Sequence, residues 1–320
     1  MNKYRSFMAH QMDLFVSYRV ASNKWSETYA ANLQLFDRYC VSHYPDAEKL
    51  EQSMLEGWCG KRPTETGTSC RKRISCIKVF VEFLRKNGFP DVPSVEIPDS
   101  KKTKFIPHSF TESELASFFN ACDNLPKGKS WNEQVRAISI PVFFRLLYSS
   151  GLRTCEARLL RYEDVNLDTG VVSIRHSKGL NEHFIVLHDS MLTLMKQFDT
   201  AVYGFAPDRK YFFPSCENKH HNRQWVEVNF RELWDGCGFP YAIPYSLRHC
   251  YATTNINKWT DNDDEFNSRF VYLSKSMGHT VLESTRYYYS LTPAFSNIIL
   301  DLCSDSFDSI VPEVEDAEKL

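Results

Sequence analysis

No two cysteines of this chain form a Cys-x-x-Cys pair. The 10 cysteines stand singly along the 320 residues, a pattern of reduced thiols rather than of a disulfide framework. Cys216 with His220 and His221 lacks a fourth ligand at a sensible spacing, so no metal is expected. No apolar run approaches the ~20 residues that a membrane span needs. The stretch from Met1 to Arg19 is polar and charged, unlike a signal peptide. A cytoplasmic protein with no membrane partner is expected. There is no internal repeat and no glycine-rich phosphate loop of the Walker type. Basic charge is not in excess either: 38 Lys and Arg face 40 Asp and Glu, a net charge of -2. That argues against a uniformly basic nucleic-acid binder.

The distribution of charge says more than its total. Residues 1–107 carry 17 Lys and Arg against 12 Asp and Glu, whereas residues 299–320 carry one Lys against seven acids. An acidic tail hides a mildly basic body. At this length two domains are the natural reading, because one core rarely serves more than about 250 residues. With 23 Phe and 16 Tyr the cores are aromatic-rich.

Apolar residues at spacings of three and four predict helices. The first runs over 4–22, on Met8, Met12, Phe15 and Tyr18. The second follows Ser26-Glu27-Thr28, with Tyr29, Leu33, Phe36 and Cys40 inward. A shorter one lies near Ala47 to Trp58. A fourth runs from Thr66-Gly67-Thr68 to about Lys86, ended by Gly88 and Pro90. Four helices in about 90 residues make a small all-α bundle over 1–89. Arg71, Lys72 and Arg73 near the start of the fourth read either as a solvated face or as phosphate contacts. Residues 90–108 hold four prolines with Lys101, Lys102 and Lys104, and read as a basic linker.

The second domain is predicted over 109–303, before an acidic tail over 304–320. Thr111-Glu112-Ser113-Glu114 is a capping-box pattern. A long apolar helix follows and ends near Ser149, with Pro141 either starting or kinking it. Gly151-Leu152-Arg153-Thr154-Cys155-Glu156 comes next. Two β-rich runs, Val171 to Ile174 and Phe184 to Leu187, read as a hairpin with Lys178 near its tip. Helices are expected at about 189–200, 223–237, 246–258 and 264–277.

Each remaining candidate has an ordinary explanation when taken alone. Arg153 could pair with Glu156, Lys178 could be solvated, and Gly278-His279 could simply stop a helix. Tyr287, Tyr288 and Tyr289 could be packing residues. On a helix they point about 100° apart, so only one can face a pocket.

Taken in order, these segments resemble the tyrosine recombinase family, of the phage-integrase type. The match rests on Gly-Leu-Arg-x-x-Glu at 151–156, Lys178, Tyr245-x-x-Arg248-His249, and Gly278-His279 placed nine residues before Tyr288. It covers about residues 110–300. The N-terminal bundle looks like that family's core-binding, SAM-like domain. The implied fold class is mainly α with a small β-sheet, a four-helix domain preceding an α+β catalytic domain.

The resemblance implies transesterification at a DNA phosphodiester. Tyr288 would attack and form a 3′-phosphotyrosyl link, so no cofactor is required. Arg153 and Arg248 would clamp the nonbridging oxygens, as planar, always-charged forks can. Lys178 would protonate the leaving 5′-oxygen, and His279 would donate a hydrogen bond to the phosphate. Glu156 would orient Arg153, and His249 would support the arginine helix. The family usually has His where this chain has Tyr245, and a phenol of pKa near ~10 is a poor proton acceptor at neutral pH. The implied partners are double-stranded DNA recombination sites, three further copies in a homotetramer on DNA, and accessory directionality or bending proteins. The setting would be the nucleoid, and the source a phage or an integrative mobile element. The rival readings are a DNA-binding protein that kept this fold and lost turnover, and a type IB topoisomerase-like enzyme.

Overall fold

The computed structural model describes residues 4–97, 107–175, 182–259 and 263–289. Lys101, Lys102, Lys104, Lys178 and the acidic tail lie outside the described residues. The chain divides into two compact units, Met1–Phe105 and Ile106–Leu320. It is mostly helical, with a small two-stranded sheet. Among the described residues no helix is long and apolar enough to cross a membrane.

The N-terminal unit is built from α1 (Ala9–Ala21), α2 (Glu27–His43), α3 (Gln52–Cys59) and α4 (Gly67–Lys86). Ser26 and Thr66 cap α2 and α4 by accepting the backbone N–H groups of Tyr29 and Ser69, which satisfies donors that a helix start leaves open. The predicted inward faces meet in one core of Phe15, Leu33, Phe36, Trp58, Ile77 and Phe80. The first helix starts later than its periodicity suggests. Residues 5 and 6 are instead tied down by buried Asp37, whose carboxylate accepts the backbone N–H groups of Arg5 and Ser6 at 3.0 and 2.9 Å. Residues beyond Pro90, read from the sequence as a linker, return to this core, where Val95 is buried.

One expectation is corrected here. Arg73 does not face outward as a phosphate contact. It is buried, it pairs with Glu65, and it donates to the carbonyls of Trp58 and Gly60. Helix geometry explains why: Arg73 stands one residue before Ile74 and four before Ile77, on the core side of α4. Lys72 is exposed and Arg71 is half-buried.

The C-terminal unit is organised around α6 (Trp131–Ser150), which follows α5 (Glu112–Asp123). Both helices open with a complete capping box, Thr111 with Glu114 and Ser130 with Glu133. The Ser130 cap starts α6 ten residues before Pro141, so the proline sits inside the helix. Buried Val135, Ile140, Phe143, Phe144, Leu146 and Leu147 hold it there, against a proline cost of about 3 kcal/mol. After α7 (Thr154–Arg158) come β1 (Val171–Ile174) and β2 (His183–Val186), antiparallel with Val172 opposite Ile185. These two side chains point into the core, while Phe184 and Val186 of β2 face out, the period-2 alternation of a half-buried ribbon. Then follow α8 (Asp189–Tyr203), α9 (Arg223–Gly236), α10 (Tyr245–Asn257), α11 (Asp263–Ser276) and the short α12 (Glu283–Tyr289). α10 packs on α6 at one side and on α12 at the other, which places it between the core and the tyrosines.

Candidate active site

Two helix ends build the site. α6 stops at Gly151, whose φ of +65° is left-handed, a conformation open to glycine. A Cβ there would also collide with the Tyr251 ring. α11 stops in a Schellman turn: the His279 N–H bonds the Ser274 carbonyl at 3.0 Å and the Gly278 N–H bonds that of Lys275 at 2.9 Å. Gly278 has a φ of +63°, and a Cβ on it would sit 2.6 Å from the His183 ring. Each turn leaves carbonyls pointing away from its helix, and helix C-termini carry negative partial charge.

Arg248 ties these two ends together. Its Nη1 donates to the Gly151 carbonyl at 2.5 Å and its Nη2 to that of Met277 at 2.7 Å. Nη2 also lies 3.0 Å from His279 Nε2. The side chain is 1% exposed, and its Nε is buried with no partner. No carboxylate among the described residues pairs with it. Arg153, the residue before α7, donates from Nη1 to Glu156 at 2.6 Å and from Nη2 to the Gly278 carbonyl at 3.2 Å. The buried Glu156 carboxylate also accepts the Arg153 backbone N–H at 2.8 Å, so it both starts α7 and holds the guanidinium. The two arginines therefore meet at the 277–279 turn.

His279 is oriented from both sides. Arginine only donates, so His279 Nε2 must accept from Arg248, and the ring proton sits on Nδ1. Nδ1 lies 2.8 Å from the hydroxyl of Thr285, which is buried on α12. Burial, then the Arg248 and Arg153 charges, hold the imidazole down at about 4. It is therefore neutral at pH 7, with its Nε2 lone pair engaged. The expected hydrogen bond from His279 to a phosphate is not available in this state; it needs Nε2 to take a proton.

Tyr287 and Tyr288 divide as helix geometry requires. Tyr288 is buried, 2% exposed, while Tyr287 is 40% exposed. The Tyr288 ring stacks on His279 at 5.9 Å and packs on His249 at 5.1 Å. Its hydroxyl lies beside the Arg248 guanidinium and the Tyr245 hydroxyl. Burial pushes this phenol up to about 12; the Arg248 charge opposes the rise and Tyr245 adds to it. Tyr245 opens α10 and is 38% exposed. One turn on, His249 is buried with its ring 5.0 Å from that of Tyr245. Burial and the neighbouring Arg248 hold His249 at about 4.

Sequence reasoning missed His183 and Thr285. His183 stands at the start of β2 and fills the place of the side chain that Gly278 lacks. With Lys275, Gly278, His279 and Thr280 it lines a cleft of about 740 Å³. The absent Cβ at Gly278 was legible, but what occupies its place was not. The Cys216, His220 and His221 trio forms no ligand set: Cys216 bonds Asn132 at 2.8 Å and His221 stacks on Trp225 at 3.7 Å. Among the described residues no three His, Cys, Asp or Glu side chains gather as a metal site would require.

A buried phenol, a buried guanidinium that lacks a carboxylate and a neutral imidazole thus meet at one place. Comparison with known proteins gives the class its name. The model of the phage integrase family matches residues 108–294. The chain belongs to this family: it is a tyrosine recombinase, a DNA strand-transferring enzyme. The tyrosine recombinase XerC of Oceanobacillus iheyensis is 22% identical over 302 residues, covering 88% of this chain and 91% of its own. XerD of Haemophilus ducreyi is 26% identical over 271 residues, covering 82% and 84%. Among solved structures, the XerH site-specific recombinase bound to a palindromic difH substrate aligns with a TM-score of 0.63 at 16% identity, covering 88% of this chain and 79% of that one. A lambda integrase tetramer bound to a Holliday junction aligns with a TM-score of 0.55 at 15% identity, covering 87% and 76%. These structural likenesses bear on the fold.

Proposed function

We propose that the chain cleaves and rejoins duplex DNA at specific sites through a 3′-phosphotyrosyl link on Tyr288. The observation that carries this reading is Arg248: a buried charge with no carboxylate among the described residues, set beside the buried Tyr288. Burying a charge without a counter-ion is costly, and a phosphodiester supplies the missing anion. The Tyr288 oxygen attacks phosphorus and the 5′-oxygen leaves with a proton from a general acid, the role proposed for Lys178. Arg153 and Arg248 face the charge that develops on the nonbridging oxygens. His279 keeps its neutral ring stacked on Tyr288 and its Nε2 on Arg248. Glu156 and Thr285 hold Arg153 and His279 in place.

Double-stranded DNA is the proposed partner, with Arg71, Lys72, Lys101, Lys102 and Lys104 as phosphate contacts. We propose assembly as a tetramer that joins two sites, a reading supported by the lambda integrase tetramer bound to a Holliday junction, and service to a phage or integrative element. Tyr245 favours one second reading, a DNA-binding protein of this fold without turnover.

Covalent trapping separates the two. The protein is incubated with duplexes that it selects from a random-sequence pool, nicked at successive positions, and run on a denaturing gel. A slow band in wild type, absent in Tyr288→Phe, is expected. Binding with no band in either would establish the non-catalytic reading.

A further inference from the structure

This inference rests on the reading of Tyr288 as nucleophile. As its oxygen bonds to phosphorus, the phenol must give up a proton, and catalysis gains most from an acceptor placed on that hydroxyl. Neither of the two imidazoles packed on the Tyr288 ring is free to serve. His279 has Nε2 on Arg248 and Nδ1 on Thr285. His249 is buried beside the Arg248 charge, a poor place to form an imidazolium. What meets the Tyr288 hydroxyl, besides Arg248, is the hydroxyl of Tyr245.

The two phenols sit in different surroundings. Tyr288 is closed off from solvent and Tyr245 is 38% exposed. His249 walls the pair, packing against both rings at 5.0 and 5.1 Å. Tyr245 is therefore a polar path from a buried nucleophile to water.

We propose that Tyr245 relays the proton of Tyr288 to solvent. The Tyr288 oxygen forms its bond to phosphorus as its O–H bond breaks. That proton passes to the Tyr245 oxygen while Tyr245 hands its own to bulk water. Tyr245 ends as it began, a neutral phenol. The bond from phosphorus to the 5′-oxygen breaks, and the departing oxygen takes its proton from the general acid.

The final acceptor is then water or hydroxide and not an imidazole. The described groups facing Tyr288 are Arg248, Tyr245 and His249 from α10, His279 from the turn before α12, and Tyr287 from its own helix; Arg153 reaches the same turn through Gly278. Both histidines stay neutral above about pH 4. Cleavage should therefore climb steadily with pH through neutrality, with no inflection near 6.5.

The test is single-turnover cleavage of a selected, nicked duplex between pH 6 and pH 9, with a thermal melt of each variant. Tyr245→Phe keeps the ring and removes the relay, and should cut the rate about 100-fold. Tyr245→His should restore it and introduce an inflection near an imidazole's ~6.5. A Tyr245→Phe variant that cleaves as wild type does, with the same pH profile, would overturn the relay and leave the Tyr288 nucleophile standing. Loss in both variants would make Tyr245 a packing residue and overturn it as well. An adduct that survives Tyr288→Phe, or none in wild type, would overturn the nucleophile reading and the relay with it.

Discussion

Arg73 in the N-terminal unit and Arg248 in the C-terminal unit are both buried, 4% and 1% exposed. Both donate to backbone carbonyls. Their electrostatic settings are opposite. Arg73 has a carboxylate, Glu65, held down to a pKa of about 2 chiefly by the hydrogen bond from the guanidinium. Arg248 has two helix-end carbonyls, a neutral imidazole, a phenol and an open Nε. A compensated buried arginine is part of a fold. An uncompensated one is poised for an anion, and the difference lies in the partner rather than in the residue.

The contrast can be broken most sharply at Arg248. Arg248→Lys keeps the charge and loses the fork, and should reduce covalent adduct formation about 1000-fold, the upper range for removing one oxyanion donor. Trapping at wild-type level would erase the distinction between the two arginines. Next in size is Arg73→Ala, which leaves half-buried Glu65 and the Trp58 and Gly60 carbonyls without their donor. It should cost about 3 kcal/mol in denaturant unfolding, the scale for breaking a buried pair. The double variant Arg73→Met with Glu65→Leu should recover most of that loss, because it removes both charges. Equal losses in the single and double variants would show that the pair is not what holds Arg73.

Gly278→Ala probes the turn to which both Arg153 and Arg248 bond. The left-handed φ costs about 1–2 kcal/mol, and the new Cβ meets the His183 ring. Adduct formation should fall about tenfold, and His183→Ala should return part of it. If Gly278→Ala alone were neutral, the turn would not set the arginines.

The smallest expected effect is in acid stability. His221, His249 and His279 have folded values depressed to about 4 from an ordinary 6.5. The unfolded chain binds more protons between those values, so the stabilisation is full above about 6.5 and is lost as pH falls to about 4. The Glu65 carboxylate works lower: its contribution is full above 4.5 and fades as pH falls towards about 2. Acidification should therefore melt the C-terminal unit first, as hydrogen exchange at pH 5 would show. Earlier loss of the N-terminal unit would contradict this order.

Much of this was legible in the residues. Helical spacing placed α2 and α4 closely, and Gly151 and Gly278 marked the two stops that build the site. Spacing from His279 pointed to Tyr288, the member of the triplet that lies against Arg248. Pro141 left two possibilities for α6, which the Ser130 capping box resolves by starting the helix early. What stayed hidden was tertiary. The basic run 71–73 gives no sign that its third member turns inward to Glu65. Thr285 and His183 are unremarkable in sequence, and matter because of what they touch. Position 245 announced a missing imidazole but not the phenol pair that stands in its place.

The most direct test of the central claim is to map the trapped adduct. The covalent complex would be digested and the DNA-linked peptide sequenced by mass spectrometry. A nucleotide remnant on Tyr288, with Arg248→Lys greatly reducing its yield, is the predicted result. A remnant on Tyr287 or Tyr289 would show that the uncompensated charge of Arg248 does not mark the nucleophile.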